Sequence, residues 1–158
     1  MMIPTLAAAA LFSTQCTATA IYKEAANQRI ETQRLVASVV NNHAKALAKP
    51  RTPLLDTCSA IKTKGKFSWY NKTYDIWRPR EFYKGNTNNL QSPPHSRNKT
   101  NQQDLKAYQQ ALAIAADSLA YPNKSIYNTP YVYFNHVRLG KRFPTATRAR
   151  ISGDLIFY

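Results

Sequence analysis

The chain has 158 residues, of which 44% are hydrophobic, and its 22 Lys and Arg against eight Asp and Glu give a net charge of +14. This length and hydrophobic content fit one folded domain and exclude a fully disordered chain. No apolar run reaches the roughly 20 residues that cross a bilayer. The presence of only two cysteines excludes a disulfide-rich scaffold, and the sequence contains no glycine-rich phosphate-binding motif. The charge predicts attraction to polyanions, unless it serves only solubility.

The amino-terminal segment is predicted to form a helix that is retained. Residues 1–12 and the small residues 18–20 are similar to a signal peptide with its cleavage site, but the first basic residue is Lys23, so a basic flank is absent. Because proline is tolerated in a first helical turn, a helix starting near Pro4 is the favoured interpretation, and a cleaved signal peptide is not expected.

Further elements follow from the spacing of apolar residues. Residues 32–47 and 102–119 carry apolar residues at steps of three and four, which predicts two amphipathic helices, and a short helix is predicted at 54–62. Residues 84–103 are polar and rich in Asn, which is typical of a loop.

The carboxy-terminal part is predicted to form strands. One strand is expected at 131–134, and residues 147–151 and 155–158 are expected to pair as a hairpin around Gly153-Asp154. Helices followed by a small antiparallel sheet indicate an α+β fold in a single domain, residues 1–158.

Glu24 is the carboxylate with the clearest catalytic expectation. It lies in the mostly apolar sequence 20–26, near the predicted end of the first helix, where the negative end of the helix dipole disfavours a second negative charge. Burial and this dipole would both raise the pKa of Glu24, which suits a general acid. The alternative is a solvated glutamate paired with Lys23 or Arg29.

Five short segments follow one another in an order that one enzyme family shares. Residues 21–28 read IYKEAANQ, 33–42 read QRLVASVVNN, 66–69 read KFSW, 133–135 read YFN and 153–158 read GDLIFY. They resemble the patterns I-Y-x-E-A-x-G-E, Q-x-A-V-A-x-V-V-x-N, Q-F-S-W, Y-F-x-N and G-x-H-x-F-Y of the SleB-type cell-wall hydrolases. This family consists of peptidoglycan-cleaving enzymes that include phage endolysins.

The chain also departs from the family pattern. Asn27 and Gln28 stand where the family has Gly-Glu, Thr32 replaces a glycine, His43 replaces an arginine, and Leu155 replaces the histidine of the closing motif. A divergent member that binds the wall without cutting it is therefore an alternative to an active enzyme.

The resemblance implies a fold like that of lysozymes and lytic transglycosylases, in which a helical body carries the glutamate and a small sheet forms one wall of the cleft. Glu24 falls on the catalytic glutamate of the family. It would act as general acid and base in cleaving between MurNAc and GlcNAc, as a lytic transglycosylase that leaves 1,6-anhydro-MurNAc ends or as a glycoside hydrolase. Neither Asp75 nor Asp154 is favoured as a second carboxylate.

Six further residues are candidates for substrate binding: Phe67, Ser68, Trp69, Tyr133, Asn135 and Gln33. Aromatic rings would stack on sugar faces, and the alternative for the rings of the 66–69 segment is a place in the core. At least one of Gln33 and Asn42 is expected to hydrogen-bond a loop. No metal site and no cofactor are expected, since His43 and His136 have no third ligand at useful spacing.

The resemblance places Cys16 and Cys58 at positions that are cysteine in many members of the family. A bridge between them would brace the helix that carries Glu24, and two small buried thiols are the alternative.

The expected partner is the glycan strand of peptidoglycan, bound by a monomer whose basic surface also attracts anionic envelope polymers. The expected place of action is the bacterial envelope or periplasm, which a phage-encoded protein made in the host cytoplasm would also reach. Rival functions are a non-enzymatic wall-binding or virion structural protein on the same fold, and a nucleic-acid-binding protein. The latter is disfavoured because no known nucleic-acid-reading motif accompanies the charge.

Overall fold

The computed structural model describes residues 6–48, 55–63, 67, 102–137 and 149–158. These residues form four helices and three strands: α1 (Leu6–Ala25), α2 (Ile30–Leu47), α3 (Thr57–Lys62), α4 (Gln102–Ala120), β1 (Phe134–His136), β2 (Arg150–Ser152) and β3 (Leu155–Phe157). The strands form one antiparallel sheet in the order β1-β3-β2. A helical body with a small antiparallel sheet is compatible with the predicted α+β class. No helix within the described residues is long and apolar enough to cross a membrane.

Helix α1 lies at the centre of the helical body and packs against α2, α3 and α4. Every residue from Gln15 to Ile21 is buried, including the polar Thr17 and Thr19. Seven consecutive buried positions cover the whole circumference of a helix, because one turn takes about 3.6 residues. The predicted amino-terminal helix is thus a core helix rather than a surface helix with one apolar face.

The other helices follow the predicted pattern. Helix α2 starts two residues before the predicted 32–47, and α4 ends one residue after the predicted 102–119. Helix α3 begins at Thr57 instead of residue 54, because the Asp56 side chain accepts the Ser59 backbone N–H at 3.1 Å and caps the helix there. Most of the predicted polar loop, residues 84–101, lies outside the described residues.

The sheet packs its central strand into the main core. Leu155 and Phe157 of β3 are fully buried and join a cluster that includes Val36 and Tyr108. The predicted hairpin is confirmed around Gly153-Asp154. Strand β1 begins three residues after the predicted position 131, because the Val132 and Tyr133 amides both donate to the Tyr158 carbonyl oxygen and regular pairing starts only at Phe134.

A disulfide joins Cys16 of α1 to Cys58 of α3, 42 residues apart, with a Cα–Cα distance of 5.2 Å. It lies in a second core cluster with Ala20, Val40, Ile61 and Phe67. Of the two alternatives left open by the sequence, the structure shows the bridge. The bridge ties α3 to α1, the helix that carries Glu24.

We predict that reducing this disulfide lowers the free energy of unfolding by about 4 kcal/mol, the chain-entropy value for a loop of this length. The measurement is urea unfolding followed by circular dichroism, with and without reductant. A Cys16→Ser/Cys58→Ser variant is the control, because its unfolding curve must not respond to reductant. Coinciding curves for the oxidised and reduced wild type would show that the bridge contributes nothing.

Candidate active site

Glu24 lies in the last turn of α1 and is half-buried. The helix ends at Ala25, whose carbonyl oxygen accepts the Gln28 backbone N–H at 2.9 Å, and α2 begins after Arg29. A turn of four residues, 26–29, therefore follows Glu24 at once. The position at the negative end of the helix dipole is the one that the sequence predicted. The raised pKa expected for Glu24 stays a prediction.

Tyr22, two residues before Glu24, holds the end of α1 against α4. The Tyr22 ring meets the Tyr108 ring edge to face, with 5.8 Å between centroids. Burial raises the pKa of Tyr22, and the Asp104 carboxylate, which accepts a hydrogen bond from the Tyr22 hydroxyl, raises it further. Tyr22 therefore stays protonated at neutral pH and acts as a hydrogen-bond donor toward α4.

The hairpin turn of the sheet meets the turn that follows Glu24. Gln28 Nε2 donates to Asp154 Oδ2 at 3.0 Å, and the Asp154 backbone N–H donates to Gln28 Oε1 at 3.0 Å. The two residues are 126 positions apart in the chain. This cyclic pair of hydrogen bonds places the β2–β3 turn, and with it the carboxylate of Asp154, at the carboxyl end of α1.

Glycine is favoured at the first position of that hairpin turn. Gly153 has a φ of +56°, a left-handed conformation that side chains with a Cβ rarely adopt. A Cβ there would also lie 2.2 Å from Gln28 Oε1, well inside van der Waals contact. The glycine thus permits both the turn and the close approach of Gln28.

Further contacts fasten the hairpin to α2 and to β1. The buried hydroxyls of Thr32 and Ser152 are 2.7 Å apart and share a hydrogen bond. Arg150 of β2 forms an exposed ion pair with Glu31, in the first turn of α2. The Val137 backbone N–H, just after β1, donates to the Asp154 carbonyl oxygen at 2.9 Å. The end of α1, the start of α2, the hairpin turn and the end of β1 therefore meet at one place.

Gln33 holds the turn between α1 and α2. Its side chain is 2% exposed, and its Nε2 donates to the Gln28 backbone carbonyl at 3.0 Å. Asn42 makes a comparable contact, because its Nδ2 donates to the carbonyl oxygens of Thr129 and Tyr131, both at 2.8 Å. The expected hydrogen bonding of this pair to loops is confirmed for both residues, while a substrate contact of Gln33 stays a prediction.

Phe67, Tyr133 and Asn135 are the other predicted substrate-binding residues that the structure describes. Phe67 is 3% exposed and packs against Phe134, with 6.3 Å between ring centroids, so it takes the core position that was its alternative. Because side chains alternate along a strand, Asn135 lies on the face of β1 opposite to Phe134, and Tyr133 directly precedes the strand. Tyr133 is 39% exposed, its ring edge lies against His43, and Asn135 is half-buried.

Some predicted residues are not described by the structure, and one important residue was missed. Ser68, Trp69 and Asp75 lie outside the described residues. Within the described part of the chain, no group of three or more His, Cys, Asp or Glu is placed to hold a metal ion. In the sequence, Gln28 stands out only as a departure from the family pattern. The Gly153-Asp154 dipeptide predicts the hairpin turn that Gln28 contacts. The contact itself is visible only in the fold.

The chain matches no known protein-family model, no curated protein and no solved structure. The likeness to cell-wall hydrolases therefore depends on the short segments quoted from the sequence and on where the fold places them.

We predict that Gly153→Ala lowers the free energy of unfolding by about 1–3 kcal/mol, through left-handed backbone strain and the contact with Gln28. Removing the contacted side chain separates the two causes. In the Gly153→Ala/Gln28→Ala double variant, the loss should be smaller than the sum of the two single losses, as measured by thermal unfolding. Strict additivity would mean that the added methyl group does not meet Gln28.

Proposed function

We propose that the protein cleaves the glycan strand of peptidoglycan between MurNAc and GlcNAc as a lytic transglycosylase, on a lysozyme-like fold, with Glu24 as general acid and base. One observation carries this proposal. The segments that resemble the cell-wall hydrolase motifs are far apart in the sequence, and in the fold they contact one another.

Three contacts make this observation concrete. The disulfide Cys16–Cys58 joins the two cysteines that coincide with family positions. The closing segment 153–158 meets the segment 21–28 through Gln28 and Asp154. Phe67 of the 66–69 segment packs against Phe134 of the 133–135 segment. These contacts support the proposal because they bring the motif segments together in one fold.

The reaction needs one carboxyl group in two protonation states. Glu24 would give its proton to the glycosidic oxygen as the bond to MurNAc C1 breaks, which releases the GlcNAc hydroxyl. The resulting carboxylate would then take the proton of the MurNAc 6-hydroxyl while that oxygen closes on C1. The product is a 1,6-anhydro ring, Glu24 is protonated again, and no water is consumed.

A single-carboxylate mechanism agrees with the surroundings of Glu24. Asp154 is brought to the carboxyl end of α1, but its Oδ2 accepts a hydrogen bond from Gln28 and its backbone is held on both sides by Gln28 and Val137. Such a carboxylate is suited to holding the hairpin rather than to attacking a sugar carbon. The sugar's own 6-hydroxyl is a sufficient nucleophile for the proposed reaction.

The proposed substrate would contact the outer side of the small sheet. Tyr133 offers an exposed ring for stacking on a sugar face, and Asn135 offers an amide two residues further along the chain, in β1. The protein would act as a monomer in the cell envelope, where its net charge of +14 favours anionic wall polymers.

A wall-binding protein without enzymatic activity is the second candidate, and the placement of Leu155 favours it. This residue stands where the family has a histidine, and it is fully buried in the main core. The closing segment therefore contributes to packing at a position where related enzymes carry a polar group. The two candidates share the fold and the ligand, and they differ in whether the wall is cut.

We predict that Glu24→Gln lowers the rate of peptidoglycan cleavage by about 10²–10⁴-fold, because glutamine has nearly the same shape but cannot donate the proton. The rate is measured as clearing of a suspension of purified sacculi. Glu31→Gln is the matched control, since Glu31 is exposed, forms a surface ion pair with Arg150 and lies outside the proposed chemistry.

Mass spectrometry of the soluble products identifies the reaction. Products with 1,6-anhydro ends support a transglycosylase, whereas reducing ends identify a hydrolase. Sacculi that the wild type binds but does not clear would support the wall-binding protein. Equal clearing by Glu24→Gln and wild type would show that another group is the acid.

We also predict that binding to sacculi weakens steeply with salt, because exposed charges are screened beyond about 8 Å at physiological ionic strength. The Glu24→Gln variant is the suitable probe, because it leaves the sacculi uncut during the assay. The fraction that sediments with sacculi is measured from about 50 mM to 500 mM salt. Binding that does not change over this range would rule out a mainly electrostatic attraction.

A further inference from the structure

We propose that Gln28 and Asp154 act together as positioning residues that set the place of Glu24. This inference rests on the proposed function and goes beyond it, because it assigns a catalytic consequence to a contact between two turns. The two side chains form what we call the hairpin clamp, the cyclic hydrogen-bonded pair between Gln28 and Asp154.

Gln28 is tied to three elements at once. Its backbone N–H donates to the Ala25 carbonyl at the end of α1, and its backbone carbonyl accepts Gln33 Nε2 from α2. Its side chain holds Asp154 in the hairpin turn. A displacement of the Gln28 side chain is therefore passed directly to the last turn of α1, where Glu24 lies one residue before Ala25.

The clamp depends on the chemical difference between an amide and a carboxylate. The Asp154 carboxylate has no proton to donate, so residue 28 must supply the donor as well as the acceptor. Glutamate, which the family pattern has at position 28, would supply no donor and would face Asp154 with a like charge. Gln28 and Asp154 therefore form a matched pair, in which the side chain at one position limits which side chain can form the hydrogen bond at the other.

The same reasoning shows how the pair can be exchanged. In a Gln28→Glu/Asp154→Asn variant, the new amide at position 154 can donate to the new carboxylate at position 28. The Asp154 backbone N–H keeps its acceptor, because glutamate has the same Oε1. Net charge is unchanged, the side-chain hydrogen bond is restored with its donor at position 154, and the backbone hydrogen bond keeps its direction.

The experiment compares the wild type, Gln28→Glu, Asp154→Asn and the exchanged double variant. Clearing of sacculi is measured at a temperature where thermal unfolding shows all four to be fully folded. We expect Gln28→Glu to be slower by about 10²-fold, the effect of misplacing a catalytic group by about 1 Å. Asp154→Asn should be slower by a smaller factor, because its Oδ1 still accepts from Gln28 but lacks the negative charge that strengthens the hydrogen bond. The double variant should recover most of the rate lost in Gln28→Glu.

Backbone amide resonances of residues 22–26 provide a readout that does not depend on activity. They should shift in Gln28→Glu and return in the double variant. If the wild type does not cleave sacculi, the proposed function is wrong, and these resonances alone decide whether the clamp positions the end of α1. Unshifted resonances, or a double variant as slow as Gln28→Glu, would overturn the inference.

Two further outcomes are decisive. Equal rates in all four folded proteins, with only their thermal stability changed, would reduce the clamp to a structural contact and overturn the positioning role. If Gln28→Glu does not fold, Gln28→Met replaces it, because methionine keeps the volume and removes both hydrogen bonds without adding charge. That variant should lose rate in the same way, and Asp154→Asn should not rescue it.

Discussion

The burial of α1 on all sides is the constraint on which the rest of the structure depends. The small side chains of residues 16–20 let three other helices approach its axis, and the disulfide at Cys16 links one of them covalently. A helix packed in this way cannot rotate or slide without disturbing every neighbour, because protein interiors are close-packed. Its final turn, which carries Glu24, therefore starts from a rigid support.

The rigid, buried part of α1 does not by itself fix a side chain in the last turn of the helix, because the backbone carbonyls there lack helical hydrogen-bond partners. In this protein the missing restraint comes from outside the helix. Gln28 connects the end of α1 to α2 and to the hairpin turn, and Gly153 makes the close approach possible. The sheet is small, with three residues in each strand, yet it supplies the contact that completes the carboxyl end of α1.

The assembly of the motif segments and the departures from the motifs point in different directions. Contacts such as Cys16–Cys58 and Phe67–Phe134 lie in the core and join segments that resemble the family motifs. Two positions that depart from the motif pattern have different surroundings. Gln28 bonds to Asp154 through its neutral amide, whereas Leu155 is part of the core. The core contacts therefore agree with the resemblance, and the side chains at positions 28 and 155 depart from it.

Local patterns in the sequence were sufficient to predict α2, α4 and the hairpin at Gly153-Asp154, because helical periodicity and turn chemistry act over a few residues. They also singled out Glu24 and its place at a helix end. Tertiary structure alone decided that Phe67 is a core residue, that Cys16 and Cys58 are bridged, and that Gln28 meets Asp154. Those outcomes depend on which surfaces pack together, and residues 126 positions apart leave no periodic trace of their contact in the sequence.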